Sequence, residues 1–212
     1  MTNTSEKNTG KTTTGQVTTK SGKGNSHGVI SEASVYFTLK PGHADEARVA
    51  ASRWGETVKN ADPKATQRTG LRDARIVIFD DGRRLQFASG FETDWDPYVD
   101  DAILIVGIDH FLDWLQYTEE AQELVAAAKK LDRNDPDFDE KVKPAAALLK
   151  QIIQQCQAPA ATYFNALSDL TVPQIRKAQR VQQAFQQVLD DPAAQQALQH
   201  PALKPLLEQA AD

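Results

Sequence analysis

The chain has 212 residues, of which 24 are basic and 29 acidic, so its formal net charge is -5. A net acidic chain is a poor candidate for general nucleic-acid binding, because contacts to phosphates need a basic face. One cysteine excludes an internal disulfide framework and a cysteine-rich metal site. No apolar run approaches the roughly 20 residues of a membrane helix, which argues against membrane insertion. The length fits one globular core, alone or with appendages.

Residues 1–28 form a polar tail. They include eight Thr, five Gly and four Lys, and their only apolar residues are Met1 and Val17. Such a segment buries too little surface to offset its ordering entropy, so we expect it to be disordered. The tail has no apolar signal-peptide core, which together with the single cysteine predicts a cytoplasmic protein. Two roles stay open for it: a docking arm for an acidic partner, or a solubilising extension.

The first regular elements are a strand and a helix. Residues 34–39 alternate with a period of two, which predicts a strand that ends at Pro41-Gly42. A helix is predicted from about Ala44, because apolar residues from Ala47 to Val58 recur at helical spacing. The polar residues 60–70 are interpreted as a loop.

A hairpin and a second helix follow. Strands are predicted at residues 74–79 and 85–91, joined by a turn over residues 80–83 with an Asp-Gly pair. The next helix is expected to begin with Asp96 as its cap and Pro97 in its first turn. Residues 102–108 are apolar around much of the helix, which predicts that it is buried.

The remainder is read as an insertion, a strand and C-terminal helices. Residues 118–157 are helical and polar, with a break at 134–136, and a fourth short strand is expected at 159–167. Thr171 and Gln174 form a predicted capping box before an amphipathic helix. The domains are thus a tail at 1–28, a core domain at 29–191 with an insertion at about 118–157, and short helices at 192–212.

This order predicts an α+β fold, the ferredoxin-like β-α-β-β-α-β sandwich with a helical insertion. The strands carry apolar residues on both faces, for example Ile76 and Ile78 on one and Val77 and Phe79 on the other. The face without helices therefore needs a cover. A second copy of the sheet, which would give a homodimer of the dimeric α+β barrel type, is favoured over the C-terminal helices.

Three segments resemble a bacterial group of dimeric α+β barrel proteins: residues 69–82, residues 85–101, and the run Thr171-Val-Pro-Gln-Ile-Arg-Lys. The resemblance covers roughly residues 33–115 and 159–189. Its motifs are structural, and the group's Gly-Tyr-Pro segment after the second helix is absent. The wider superfamily includes haem-binding monooxygenases, chlorite dismutases, dye-decolorising peroxidases and ligand-binding proteins, so the resemblance implies a fold rather than a reaction.

His110 and Arg75 are the candidate cofactor-binding residues. The resemblance implies that a histidine late in the second helix could be an axial haem ligand, with Asp109 or Asp113 orienting its other nitrogen. Arg75 could point into a cavity between sheet and helix and bind an anionic group. The competing interpretations are a hydrogen-bonded histidine at the edge of the core and a surface arginine.

Other polar groups predict no site. The carboxylates between Glu92 and Asp101 suit a helix start better than a metal site, and Cys156 lacks the cationic neighbours that activate a thiolate. Two functions are therefore carried forward. The first is a non-catalytic ligand-binding or protein-interaction module, with a protein partner bound through residues 1–28 or the C-terminal helices. The alternative is a haem-binding oxidoreductase that uses His110.

Overall fold

The computed structural model describes residues 22–132 and 135–210 and shows a mixed α+β fold with an open antiparallel sheet. Three strands of eight or nine residues make most of the sheet. The strands are β1 (Ser26–His27), β2 (Ile30–Thr38), β3 (Leu71–Phe79), β4 (Arg84–Phe91) and β5 (Gln157–Ala158). The sheet order is β1-β2-β4-β3, and β5 pairs antiparallel with β2.

Helices fill the connections and follow the sheet. The α-helices are α1 (Ala44–Asn60), α2 (Pro63–Arg68), α3 (Trp95–Val106), α4 (Ile108–Leu115), α5 (Gln122–Ala128), α6 (Phe138–Cys156), α7 (Val172–Leu189), α8 (Gln195–Leu198) and α9 (Lys204–Ala210). Within the described ranges no helix is long and apolar enough to span a bilayer. The helix predicted from Ala44 is confirmed, whereas the loop predicted at 60–70 contains α2.

The predicted hairpin between β3 and β4 is confirmed. Asp80 and Asp81 have φ angles of 55° and 53°, and Gly82 has a φ of 80°. Aspartate tolerates this left-handed backbone better than most residues, and glycine adopts it without steric cost. The turn sets a register in which Phe87 lies opposite Ile76 on one side and Val35 on the other.

That register directs one face of the sheet at the helices. Val35 and Phe37 of β2 are buried, as are Leu85 and Phe87 of β4, because they share this face. Trp114 of α4 lies edge-on to Phe37, with ring centroids 5.6 Å apart, and stacks on Phe87 at 6.0 Å. The core therefore lies between the sheet and helices α1, α3, α4 and α6.

The second predicted helix is split in the structure. Gly107, with a φ of 89°, separates α3 from α4, so the prediction of one continuous buried helix is wrong. Asp94 rather than Asp96 occupies the N-cap position of α3. Ile103 is buried, but the side of α3 that carries Leu104 faces away from the core, and Leu104 is 81% exposed.

The strand predicted at 159–167 is also wrong. Only Gln157 and Ala158 pair with β2, and the chain then leaves the sheet. Its backbone finds other partners: the Asn25 side chain donates to the Ala160 carbonyl at 2.6 Å, and the Asn165 amide donates to His27 Nδ1 at 3.2 Å. The apolar residues that suggested a strand are not part of the core, since Phe164 is 75% exposed and Leu167 is 50% exposed.

The last part of the predicted tail lies against the sheet. β1 pairs with the start of β2, and the Lys23 amide donates to the Gln157 side chain at 3.3 Å. Ordered structure therefore begins before residue 29. Residues 1–21, and the predicted helix break at Asn134, lie outside the described residues.

Candidate functional site

His110 lies on the outer surface of the helical layer. It lies in the first turn of α4, next to α1, and lines an open groove of about 900 Å³. The neighbouring ion pair closes one side of this groove: Arg53 Nε and Nη2 each donate to a carboxylate oxygen of Asp113 at 2.8 Å. Asp113 therefore binds Arg53, and it does not take the orienting role predicted for it.

The His110 ring is within hydrogen-bonding distance of a threonine on α1. Thr57 Oγ1 lies 3.4 Å from His110 Nδ1 and 3.1 Å from the Arg53 carbonyl, to which it donates. Because the hydroxyl proton is used in that second bond, Thr57 is left to accept from an Nδ1–H. Of the two neutral tautomers of the ring, this contact favours the one with the proton on Nδ1 and the lone pair on Nε2.

The interior behind α4 contains two small cavities. One of about 30 Å³ is lined by residues that include Trp54, Phe87 and Phe111, and a second measures about 20 Å³. Each has room for about one water molecule. The predicted cavity between the sheet and the second helix is thus filled by side chains, and a group the size of a porphyrin does not fit there.

Arg75 lies on the opposite face of the sheet from the helices. Its side chain is 63% exposed, and its guanidinium is 3.9 Å from the Asp73 carboxylate. The structure therefore does not bring Arg75 and His110 into one site. They occupy two different surfaces of the chain.

The arginine that is held rigidly is Arg72. Its Nη1 lies 3.1 Å from Glu92 Oε1, and the two side chains are only 9% and 7% exposed. Arg72 also donates to the carbonyls of Leu170 at 2.8 Å and Leu167 at 3.0 Å. The Val172 amide donates to the same Glu92 oxygen at 2.5 Å, so this ion pair anchors the first residue of α7.

The acidic residues at the start of α3 are used in contacts within the chain. Lys150 of α6 lies 3.0 Å from both Asp96 and Asp100. Burial acts to lower the pKa of Lys150, but the bonds to these carboxylates outweigh it and raise the pKa. In the described residues no cluster of three or more His, Cys, Asp or Glu side chains is placed to hold a metal ion.

Cys156 lies at the end of α6 and is partly buried. Burial, assisted by the carboxylate of Glu120, raises the pKa of its thiol to about 11. The thiol is therefore protonated at neutral pH, which opposes a nucleophilic role.

The face of the sheet opposite the helices is covered at one end. Residues 159–170 cross it there, and Tyr163 lies near Asp73 and Glu32. Burial of Tyr163 and the negative charges of these carboxylates raise its pKa. At the other end, Val77 is 40% exposed and Phe79 is 39% exposed. We call this end the open sheet face. Gln86 of β4 lies on it between Val77 of β3 and Tyr36 of β2, and its side chain donates to the Tyr36 hydroxyl at 3.0 Å.

The C-terminal helix α7 presents a second apolar surface. Its capping box is confirmed, since Thr171 and Gln174 bond reciprocally. All of α7 is in the described range 135–210, and none of its residues is buried. Its apolar stripe recurs at helical spacing and consists of Ile175, Ala178, Val181, Phe185, Val188 and Leu189.

Comparison with known proteins gives no relative. No family model matches the chain, and neither a curated protein nor a solved structure matches it. The resemblance to dimeric α+β barrel proteins therefore stays a prediction, as does haem ligation by His110. Sequence reasoning missed the Arg72–Glu92 anchor, because no local pattern pairs two residues twenty positions apart.

Proposed function

We propose that the chain is a non-catalytic protein-interaction module built on a homodimer. The open sheet face packs against the same face of a second copy, and the C-terminal helices form a binding arm. The observation that carries this proposal is the exposure of Val77 and Phe79, two residues apart on β3, on a sheet face that no helix of the described residues covers.

The open sheet face has the composition of an interface. Phe79, Val77 and Tyr36 supply apolar and aromatic surface, and Arg75 and Arg84 lie beside them. Aromatic residues and arginine are enriched in protein interfaces. An uncovered apolar patch on a sheet otherwise favours uncontrolled association, so a defined partner is the simpler account of its presence.

A second copy suits this face because the contact would be isologous. In a two-fold dimer each residue at the interface contacts its counterpart or a neighbour of that counterpart. The same apolar patch on each copy therefore forms both sides of the interface. The pairing of β5 with β2 supports the ferredoxin-like assignment, with β5 as a shortened last strand beside the first long strand. Two such sheets face to face are the arrangement expected for a dimeric α+β barrel.

The test is sedimentation equilibrium of the full chain and of Phe79→Lys. The 23.3 kDa chain should sediment as a dimer. Phe79→Lys should dissociate into monomers at concentrations at which the wild type is still a dimer, because two ammonium groups would meet across the two-fold axis. Val49→Lys is the matched control, since Val49 is also exposed but lies on α1, away from the sheet face. A wild-type monomer at all concentrations, or equal loss of the dimer in both variants, would contradict the proposal.

The alternative function, a haem-binding oxidoreductase, has one supporting observation. The Thr57 contact favours a lone pair on His110 Nε2, and that ring borders an open groove rather than the filled interior. His110 lines this groove, whereas Arg75 lies on the opposite face of the sheet. Haem binding is therefore the second candidate function.

A further inference from the structure

Two apolar surfaces besides the open sheet face are at least partly uncovered within the described residues. One is the stripe of α7, in which Ala178, Val181 and Val188 are exposed. The other is an open groove of about 820 Å³ between α3 and α6, whose lining includes Ile103, Leu104, Phe138 and Val142. Isolated helices of this length are marginal in water and normally gain stability by packing an apolar face. We therefore expect each of these surfaces to pack against a complementary apolar surface.

We propose that α7 of one copy lies in the α3–α6 groove of a second copy. The stripe of α7 would cover Leu104, which is 81% exposed although it sits in an apolar helix. This is the helix-in-groove mode of recognition, in which residues at helical spacing fill an apolar channel. One contact then accounts for both exposed surfaces.

Charge complementarity supports this pairing. Helix α7 carries Arg176, Lys177 and Arg180 and no acidic residue. Lys177 borders the stripe because it lies four residues before Val181. At the groove, Asp96 and the lining residue Asp100 share the ammonium group of Lys150, and the lining residue Lys143 is paired with Glu140. These five groups together carry one net negative charge.

The groove has room for part of the α7 stripe. Its lining on α6 extends over residues 138–146, about 12 Å at 1.5 Å per residue, whereas the stripe at residues 175–189 extends over about 21 Å.

A second copy is favoured over the chain's own α7. The start of α7 is fixed to Glu92 through the Val172 amide, and Val181 and Val188 of its stripe are exposed. In the described structure no residue of α7 lines the groove of its own chain. Reciprocal exchange between two copies keeps both anchors and closes a dimer. The inference uses the proposed function only for the idea that the C-terminal helices are a binding arm.

The test is disulfide formation between two full-length variants in a Cys156→Ser background. Leu104→Cys and Val181→Cys alter exposed side chains, so the fold should tolerate both changes. When the two variants are mixed and oxidised, a mixed disulfide should form at least about tenfold faster than between Val49→Cys and Val181→Cys, because docking raises the effective concentration of the thiols. Adding Lys177→Glu should slow the reaction, and so should added salt, which screens exposed charges.

Each other outcome would overturn the inference. Equal rates for the two mixtures would mean that α7 does not dock in the groove. A Leu104→Cys/Val181→Cys double variant that forms its disulfide within one chain, at a rate independent of concentration, would assign the groove to the chain's own α7. The Phe79→Lys variant distinguishes this contact from the contact between sheet faces. If the mixed disulfide still forms in a Phe79→Lys background, the docking of α7 is supported even where the sheet faces do not associate.

Discussion

The Arg72 guanidinium and the Glu92 carboxylate form a buried ion pair, 3.1 Å apart, at the junction of the sheet and α7. Glu92 also accepts from the backbone of Val172, and Arg72 also donates to two carbonyls just before α7. The pair therefore connects β3, the end of β4 and the C-terminal arm. This connection lets an otherwise exposed helix leave the core at a fixed point.

Breaking this pair should destabilise the fold. Arg72→Met leaves the Glu92 carboxylate buried without its cation, which costs about 3–5 kcal/mol in comparable sites. Arg75→Met on the same strand is the matched control, since its side chain is exposed and surface changes usually stay within about 0.5 kcal/mol. Urea unfolding measures both. Equal stability of the two variants would contradict the anchoring role of Arg72.

Tyr98 should make the fold sensitive to alkali. It is buried and stacks on Phe91 with ring centroids 4.3 Å apart. Burial raises the pKa of its phenol to about 12, against an ordinary value of 10. Above pH 10 the unfolded chain loses this proton while the folded chain keeps it, so the free energy of unfolding should fall by about 2–3 kcal/mol between pH 10 and 12.

The check is urea unfolding of the wild type and Tyr98→Phe between pH 8 and pH 12. The free energy of unfolding of Tyr98→Phe should not show this part of the fall above pH 10. Below pH 9 the free energies of unfolding of the two proteins should differ by a constant amount. Parallel curves across the whole range would mean that Tyr98 ionises equally in both states.

Cys156 should react slowly in the native protein. With a thiol pKa of about 11, its thiolate fraction at pH 8 should be roughly 200-fold below that of an exposed thiol of ordinary pKa. Labelling with a maleimide, followed by mass spectrometry, measures the rate, and the chain unfolded in guanidinium is the control. Native labelling as fast as in the unfolded chain would show that the thiol is exposed and has an ordinary pKa, which would contradict the prediction.

Haemin should bind neither the wild type nor His110→Ala saturably. The interior cavities of about 30 Å³ and 20 Å³ do not admit a porphyrin, and the structure separates His110 from Arg75. An optical titration of both proteins checks this. A saturable, shifted Soret band that is lost in His110→Ala would instead establish the haem-binding alternative, with the groove between α1 and α4 as its site.

The sequence predicted the elements that local rules determine. The Asp-Gly turn predicts the β3–β4 hairpin through backbone conformations that Asp81 and Gly82 adopt readily, and Thr171 with Gln174 predicts the start of α7. The split at Gly107 was also signalled by a glycine inside a helical pattern. It was missed because the surrounding apolar residues favoured a continuous buried helix.

The candidate surfaces depended on tertiary contacts and were predicted less well. Apolar residues on both faces of β3 predicted that the second face also needs a cover, and Val77 and Phe79 are exposed on that face; what covers them stays a prediction. The sequence could not show that residues 159–170 cover one end of it, since that segment is held by partners such as Asn25 and His27. His110 lies beside a groove because α4 packs against α1. The pattern of apolar residues within α4 alone does not predict which helix it packs against.

The most direct test of the central claim asks whether a second copy covers the open sheet face. Val77→Cys in a Cys156→Ser background places a single reactive thiol on that face, and Val49→Cys places one on α1 as the control. Maleimide labelling is followed from dilute to concentrated protein. The account predicts that labelling at position 77 slows as the dimer forms, while labelling at position 49 does not change. A labelling rate at position 77 that is independent of concentration, in a protein that sediments as a monomer, would contradict it.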